Sequence, residues 1–208
     1  MADNIFPACY FPPIPWFAAA VRYQTIHLDG KQPYRKQQLS SRTYIKGANG
    51  VLTLTIPVER RDRHHPISEK KVSFAQKWVH QHKISLTSAY AKSPYFEFYG
   101  EELIAIFDRR PADLKDWLEA SIWWGLHSLG WKGQLLWDRE ESPDYKFDYR
   151  KDFDTDINNW PDWFASREYG QVFGDYQQGL SIIDLVLNLG PEAPAYLKTV
   201  WKDEQKQG

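Results

Sequence analysis

The sequence predicts an α/β protein: a single domain over residues 1–208, with a small, largely parallel sheet in its N-terminal half and a helical, aromatic-rich C-terminal half. Three observations predict it. Near the start, "FPACYFPPIPWFAAAVRYQTIHLD" (6–29) reads as strand, rigid turn, helix, strand, the opening unit of an open α/β sheet. "VLTLTIPVE" (51–59) alternates with the period of a strand. From Trp78 onward, apolar residues recur at helical spacing.

The elements follow in order. Pro12-Pro13 fixes two φ angles and removes two backbone donors, so it forms a turn and lies in neither a helix interior nor a central strand. Ile5 to Phe11 precedes it as a short buried strand. Pro15 suits the first turn of a helix that Trp16 to Val21 continues, and Thr25 to Leu28 is the next strand. In such sheets ligands bind beyond the carboxyl ends of the strands, which places Tyr10 to Pro15 in the wall of a site. Residues 28–50 are polar and read mostly as loop. In 51–59, Leu52, Leu54, Ile56 and Val58 share one face, and Pro57 confines the late half to an edge. The charged stretch 60–71 reads as an exposed loop.

Trp78, His82, Leu86 and Tyr90 fall on one helical face that ends near Ser93-Pro94. A second helix is expected over Glu101 to Arg109. A third is capped by Asp113, carries Leu114, Trp117, Leu118, Ile122 and Leu129 at helical spacing, and closes at Gly130. Residues 131–179 hold one short apolar run, Gln134 to Trp137, in a long aromatic and acidic loop. A loop of that length is commonly functional, and its aromatics argue against disorder. Ser181 caps "IIDLVLN", Gly190-Pro191 ends it, and "EAPAYLKTVWKDEQ" forms the last short helix.

Composition disfavours several classes. The net charge of −1 gives no electrostatic case for nucleic acid. One cysteine, Cys9, excludes an internal disulfide and fits a reducing cytoplasm. The start "MADNIFPACY" lacks a signal-peptide pattern, and no stretch approaches the ~20 apolar residues of a membrane span. Ten tryptophans supply either core or platforms for sugar and base rings.

Few constellations carry chemistry. Asp152, Asp154 and Asp156 imitate the first ligands of a calcium loop, but Ile157 and Trp163 occupy the positions that need glycine and glutamate. His64-His65 and His80/His82 have no third ligand at metal spacing. His82 faces inward on its helix, where it is either a satisfied core histidine or a general base. Lys36 and Arg42 stand in a polar loop within reach of anionic groups, and Asp148 with Arg150 can pair to order the aromatic loop. Asp184 sits in the first turn of its helix, where its charge complements the dipole. Phosphate-loop, dinucleotide-binding, nucleophile-elbow and Cys-x-x-Cys motifs are absent from the sequence.

Six stretches in order, "YFPPIPWFA", "PYRKQQLSSRTYI", "VLTLTIPVE", "KWVHQHKISLTSAYAKSPYFEFYGEEL", "REYGQVF" and "GLSIIDLVLNLGPEAPAYL", resemble the WbqC-like protein family over nearly the whole chain. The resemblance implies transfer of glycine or another amino acid to an amino sugar in the synthesis of bacterial O-antigen and other surface polysaccharides. Tyr10, Lys36, Arg42, Trp78, His82, Tyr90, Asp148, Arg150, Tyr169, Gln171, Asp184 and Asn188 match the family's pattern. Two places depart from it: Ser40-Ser41 replaces a usual Arg-Asn pair, and Gly179 replaces a usual Asn.

The expectation is therefore an acyl or aminoacyl transferase with a small-molecule substrate, a sugar nucleotide or an activated amino acid. It needs no cofactor and works in the cytoplasm without nucleic acid or a membrane span; no pattern in the chain specifies an oligomeric state. His82 is the expected base. Lys36 and Arg42 would bind phosphate or carboxylate, and Tyr10 and Trp16 would shape the pocket. Trp78, Tyr90, Asp148, Arg150, Tyr169, Gln171 and Asp184 complete the expected substrate contacts. The competing expectation is a binding module that stacks a glycan or nucleotide on its aromatic face without turnover.

Overall fold

A computed structural model describes residues 4–59, 65–138, 145–153 and 156–202. Four short parallel strands form its centre. β1 (Asn4–Ile5) pairs in parallel with β6 (Phe147–Asp148), and β2 (Thr25–Asp29) pairs in parallel with β5 (Gln134–Asp138). Phe6, one residue past β1, joins the two pairs: its N–H donates to His27 O at 2.8 Å and its carbonyl accepts from Asp29 N–H at 2.9 Å. The strands thus lie in the order β6, β1, β2, β5. β1 is central, and the chain leaves it toward β2 on one side while β6 closes the other, so the strand order changes direction at β1.

The α/β class is as the sequence predicts. Between β1 and β2 runs α1 (Ile14–Ala20), with Pro15 in its first turn and every residue buried. The stretch read as loop over 28–50 contains a further strand. β3 (Arg42–Gly47) pairs antiparallel with β4 (Gly50–Thr55) in a hairpin whose tip projects so far that Leu52 is 44% exposed. Only Leu54 of β4 is buried, and Ile56 just beyond it is fully so. The predicted face of four apolar residues therefore meets the core only at its late end.

Helices α2 (Trp78–Tyr90), α3 (Phe96–Ala105) and α4 (Leu114–Ser128) enclose the first loop. α5 (Ile182–Leu189) is buried along all but its last residue, and α6 (Ala193–Thr199) follows it. Ser181 caps α5 by accepting from Ile183 N–H at 3.2 Å. The core is aromatic: Trp16, Trp117, Tyr10, Tyr90, Phe6 and Phe11 are among its largest fully buried side chains. Among the described residues no helix is long and apolar enough to cross a membrane.

Candidate functional site

The loop after β1 is pinned at almost every residue. Tyr10 N–H donates to Leu39 O at 2.7 Å, Phe11 N–H to Ser121 Oγ at 3.0 Å, and Ile182 N–H to Pro12 O at 3.0 Å. Thr43 Oγ1 donates to Phe11 O at 2.9 Å. Phe11 needs this support, because its φ of 38° is left-handed for a residue with a Cβ and costs about 1–3 kcal/mol.

At the carboxyl edge of the sheet this loop forms one wall of a crevice of about 80 Å³. Cys9, Gln32, Gln38, Ser40 and Arg150 supply its polar lining, and Pro7, Leu39 and Phe153 the apolar part. Gln32 Oε1 accepts from Ala8 N–H at 3.3 Å, which leaves its amide NH₂ to donate. Ser40 is 1% exposed, and its hydroxyl has no partner among the described residues. Arg150 is held bidentately by Asp148, Nε to Oδ1 at 2.9 Å and Nη2 to Oδ2 at 2.6 Å, with Asp29 Oδ2 3.7 Å from Nη1. That pairing draws the Asp148 carboxyl below the ordinary range and leaves Nη1 with protons to give. Burial pushes the Cys9 thiol up, so it stays protonated and acts as a weak donor. Among the described residues no carboxylate lines the crevice. A pocket with one guanidinium, two amides and a hydroxyl able to donate, and with room for two or three water-sized groups, suits a small anion such as a carboxylate or a phosphoryl group.

A second polar cluster lies under the aromatic loop. Asp184, 1% exposed, accepts from Tyr90 Oη at 2.9 Å, Tyr169 Oη at 2.6 Å and Gln171 Nε2 at 2.9 Å. Lys46 Nζ donates to Gln171 Oε1 at 3.1 Å and to the Asp175 carbonyl, and Lys46 N–H donates to Tyr90 Oη at 3.2 Å. Burial raises the Asp184 pKa, opposed by its three donors and by the Lys46 charge. Burial and the same carboxylate push both phenols up, which keeps them protonated and donating. Asn188 Nδ2 adds a bond to Asp184 O at 2.8 Å. This cluster is satisfied and closed; it fastens α2, β3 and the 169–178 segment to α5.

The model of the WbqC-like protein family matches residues 8–146. The chain belongs to that family. The matched segment carries the first loop, Gln32, Gln38 and Ser40, with Lys46 and Tyr90 of the buried cluster, while Arg150, Tyr169, Gln171 and Asp184 lie beyond it. An uncharacterized protein of Mycobacterium tuberculosis (strain ATCC 25618 / H37Rv), Rv1507c, is 24% identical over 193 residues, covering 79% of this chain and 84% of its own length. No solved structure matches.

In this WbqC-like chain the predicted site residues divide into three groups. Asp148 and Arg150 meet at the crevice; Tyr90, Tyr169, Gln171 and Asp184 meet in the buried cluster. The rest neither line the crevice nor join the cluster. Lys36 is exposed with no partner among the described residues, and Arg42 opens β3 with its Nε buried and unpaired. Trp16 backs the crevice, its indole N–H donating to Pro7 O at 3.1 Å. Trp78 is buried, with its N–H on Ser73 O at 3.0 Å.

His82 is 4% exposed and boxed by Trp78, Phe107 and Tyr10, with ring centroids 5.0, 5.9 and 6.0 Å away. Its Nδ1 lies 3.1 Å from Tyr10 Oη, and the backbone of Thr55 takes a further bond from the ring, so Nδ1 accepts from the phenol. Burial lowers its pKa to about 4. None of the three boxing rings lines the crevice. In this setting His82 holds Tyr10, and with it the first loop, in place.

Cys9, Gln32, Gln38 and Lys46 are the site residues that sequence reading missed. Lys46 had a signal, since Arg42, Tyr44 and Lys46 alternate along β3; the two glutamines had none. Among the described residues no group of three His, Cys, Asp or Glu is placed to hold a metal ion, and His64 and Asp154 of the metal-like patterns lie outside those residues.

Gly179 has a structural reason. Its φ is +78°, and a Cβ there would collide with the Ile157 carbonyl and stand 2.7 Å from the Trp160 ring. Restoring the usual family residue with Gly179→Asn is expected to cost about 1–3 kcal/mol. Urea unfolding measures it; a midpoint equal to that of the parent would show that the 156–180 segment does not pack as described.

Proposed function

We propose that this WbqC-like protein is an acyl or aminoacyl transferase that acts on the amine of a sugar and seats an anionic end of its substrate in the crevice. The observation that carries the reading is the Arg150 guanidinium at the carboxyl edge of the parallel strands, in a crevice where Ser40, Gln32 and Gln38 each have a proton to donate beside it. In the reaction the amine nitrogen forms a C–N bond with an activated carboxyl, the bond from that carbon to the activating group breaks, and the amine proton leaves with the departing group. Arg150 Nη1 and the Ser40 hydroxyl are the groups aimed at the negative charge that develops on the carboxyl or on a leaving phosphate. Lys36, on the exposed loop that precedes Gln38, guides the anion in.

A thermal-shift series against glycine, nucleoside triphosphates and nucleotide-linked amino sugars tests this reading, because a ligand of the folded state raises the midpoint. One of these anions is expected to raise it. Arg150→Met is expected to weaken that ligand about ten- to a hundred-fold, the loss of a charge-assisted bond. Failure of every anion, or a shift indifferent to Arg150→Met and Ser40→Ala alike, overturns the assignment. Formation of an amide on the sugar amine then establishes turnover.

A second reading, a binding module without turnover, is favoured by one observation. Among the described residues the crevice has neither a carboxylate nor a histidine in its lining, and its thiol stays protonated, so none of those lining side chains takes a proton near neutral pH. Binding without product, for every activated acyl donor offered, selects it.

A further inference from the structure

Away from the crevice, a groove of about 430 Å³ runs between α3 and α4. Asp116, Glu119, Ala120, Trp123 and His127 share one face of α4 at helical spacing and form one wall; Glu102, Ala105, Ile106 and Arg109 form the other. At one end His127 Nδ1 lies 3.5 Å from Glu102 Oε1, and Arg109 and Asp116 mark the opposite end. Neither Arg109 nor Asp116 has an ion-pair partner among the described residues. Three carboxylates against one arginine leave the groove electronegative.

Two tryptophans make this more than an acidic patch. Trp123 is 37% exposed, lies about one helical turn (~6 Å) from both Glu119 and His127, and is backed by Trp131 at 5.9 Å. Trp124 is 2% exposed and lines the groove, and no group of the described residues accepts from its indole N–H. Buried indole donors ordinarily find an acceptor. Glu119 receives the Trp137 N–H on Oε2 at 2.8 Å, which fixes the carboxylate and leaves Oε1 to a ligand.

The wall therefore asks for positive charge at Glu119, an apolar or cationic surface on Trp123, and an oxygen at Trp124. We propose that the α3–α4 groove binds a small organic cation that carries a hydroxyl or carbonyl oxygen a few atoms from its ammonium group. The proposal uses no crevice residue and stands whether or not the chain is a transferase.

Three probes of one length separate the two recognition elements: 5-amino-1-pentanol has both, pentylamine lacks the oxygen, and 1,5-pentanediol lacks the charge. They are titrated into the full chain while the indole N–H signals are followed by ¹H–¹⁵N NMR, with Trp123→Phe and Trp124→Phe assigning two of the ten. The amino alcohol is expected to shift the Trp124 signal saturably, pentylamine to bind at least threefold more weakly, and the diol not to bind. Glu119→Gln, which keeps an acceptor for Trp137, is expected to weaken the amino alcohol at least tenfold, and Glu102→Gln less. Absence of saturation below about 10 mM, equal binding of amine and amino alcohol, or binding that survives Glu119→Gln unchanged overturns the proposal. So does displacement by a lysine-rich peptide with no response to the amino alcohol, which would make the groove a protein-docking surface.

Discussion

Acidification from pH 6.5 to about 4 is expected to remove about 3 kcal/mol of folding stability through His82 alone. The imidazole is neutral in its aromatic box and titrates at about 4, whereas in the unfolded chain it titrates near 6.5. Between those values the unfolded state binds the extra proton, so stability rises with pH. The contribution is fully present above pH 6.5, and it falls by about 1.4 kcal/mol per pH unit until the folded-state group protonates.

Asp184 acts in the opposite sense. Its raised pKa means that its charge costs stability near neutrality, and that this cost is relieved as pH falls through the folded-state value. The measurement is urea unfolding at several pH values for the parent and for His82→Gln. That variant can still accept from Tyr10 and donate to Thr55 but cannot titrate. The slope assigned to His82 is expected to vanish in the variant. Parallel profiles for the two proteins would show that the ring is hydrated or already charged in the fold.

Asp184→Ala is expected to cost about 3–5 kcal/mol. The substitution strips the acceptor from Tyr90, Tyr169 and Gln171 at once and leaves the Lys46 ammonium buried without its countercharge. Asp184→Asn keeps the volume and one acceptor, and should lose about 1–3 kcal/mol. Tyr90→Phe and Tyr169→Phe should each lose about 1 kcal/mol, and less in combination with Asp184→Asn than the separate losses imply, since the groups share one carboxylate. Equilibrium unfolding reads all four. A loss below about 1 kcal/mol for Asp184→Ala would mean that water already reaches the carboxylate.

Much of this architecture was legible because its signals are local. Pro12-Pro13 marks the turn at the end of the first loop, although that loop lines the crevice earlier, with Pro7 and Cys9; the Trp78/His82/Leu86/Tyr90 spacing identifies the inward face of α2, and Ser181 marks the start of α5. What stayed hidden depends on partners far along the chain. β3 read as loop because Arg42, Thr43 and Lys46 are polar, yet Lys46 is buried by acceptors that arrive with Gln171 and Asp175. Asp184 looked like a residue favoured by its helix dipole; Tyr90 and Tyr169 give it its environment, and no spacing relates them to it. The pairings of β1 with β6 and of β2 with β5 join segments more than a hundred residues apart, so neither β5 nor β6 announces a parallel partner. At the crevice, Arg150 was found through its neighbour Asp148, whereas Gln32, Gln38 and Cys9 belong to no pattern and were brought together by the loop alone.

The pairing of Asn4 with Phe147 also governs how the molecule is made. At roughly 5–20 residues per second of synthesis, β1 leaves the ribosome about 7–30 s before β6 exists to pair with it. α5, whose Ile182 N–H seals the first loop at Pro12, comes later still. During that interval Ile5, Phe6, Trp16 and Phe17 have no completed core to enter. The apolar N-terminal segment is therefore the stretch on which a nascent-chain chaperone would act. A chain released at residue 146, where the family match ends, would carry that segment exposed and aggregate instead of yielding a smaller domain.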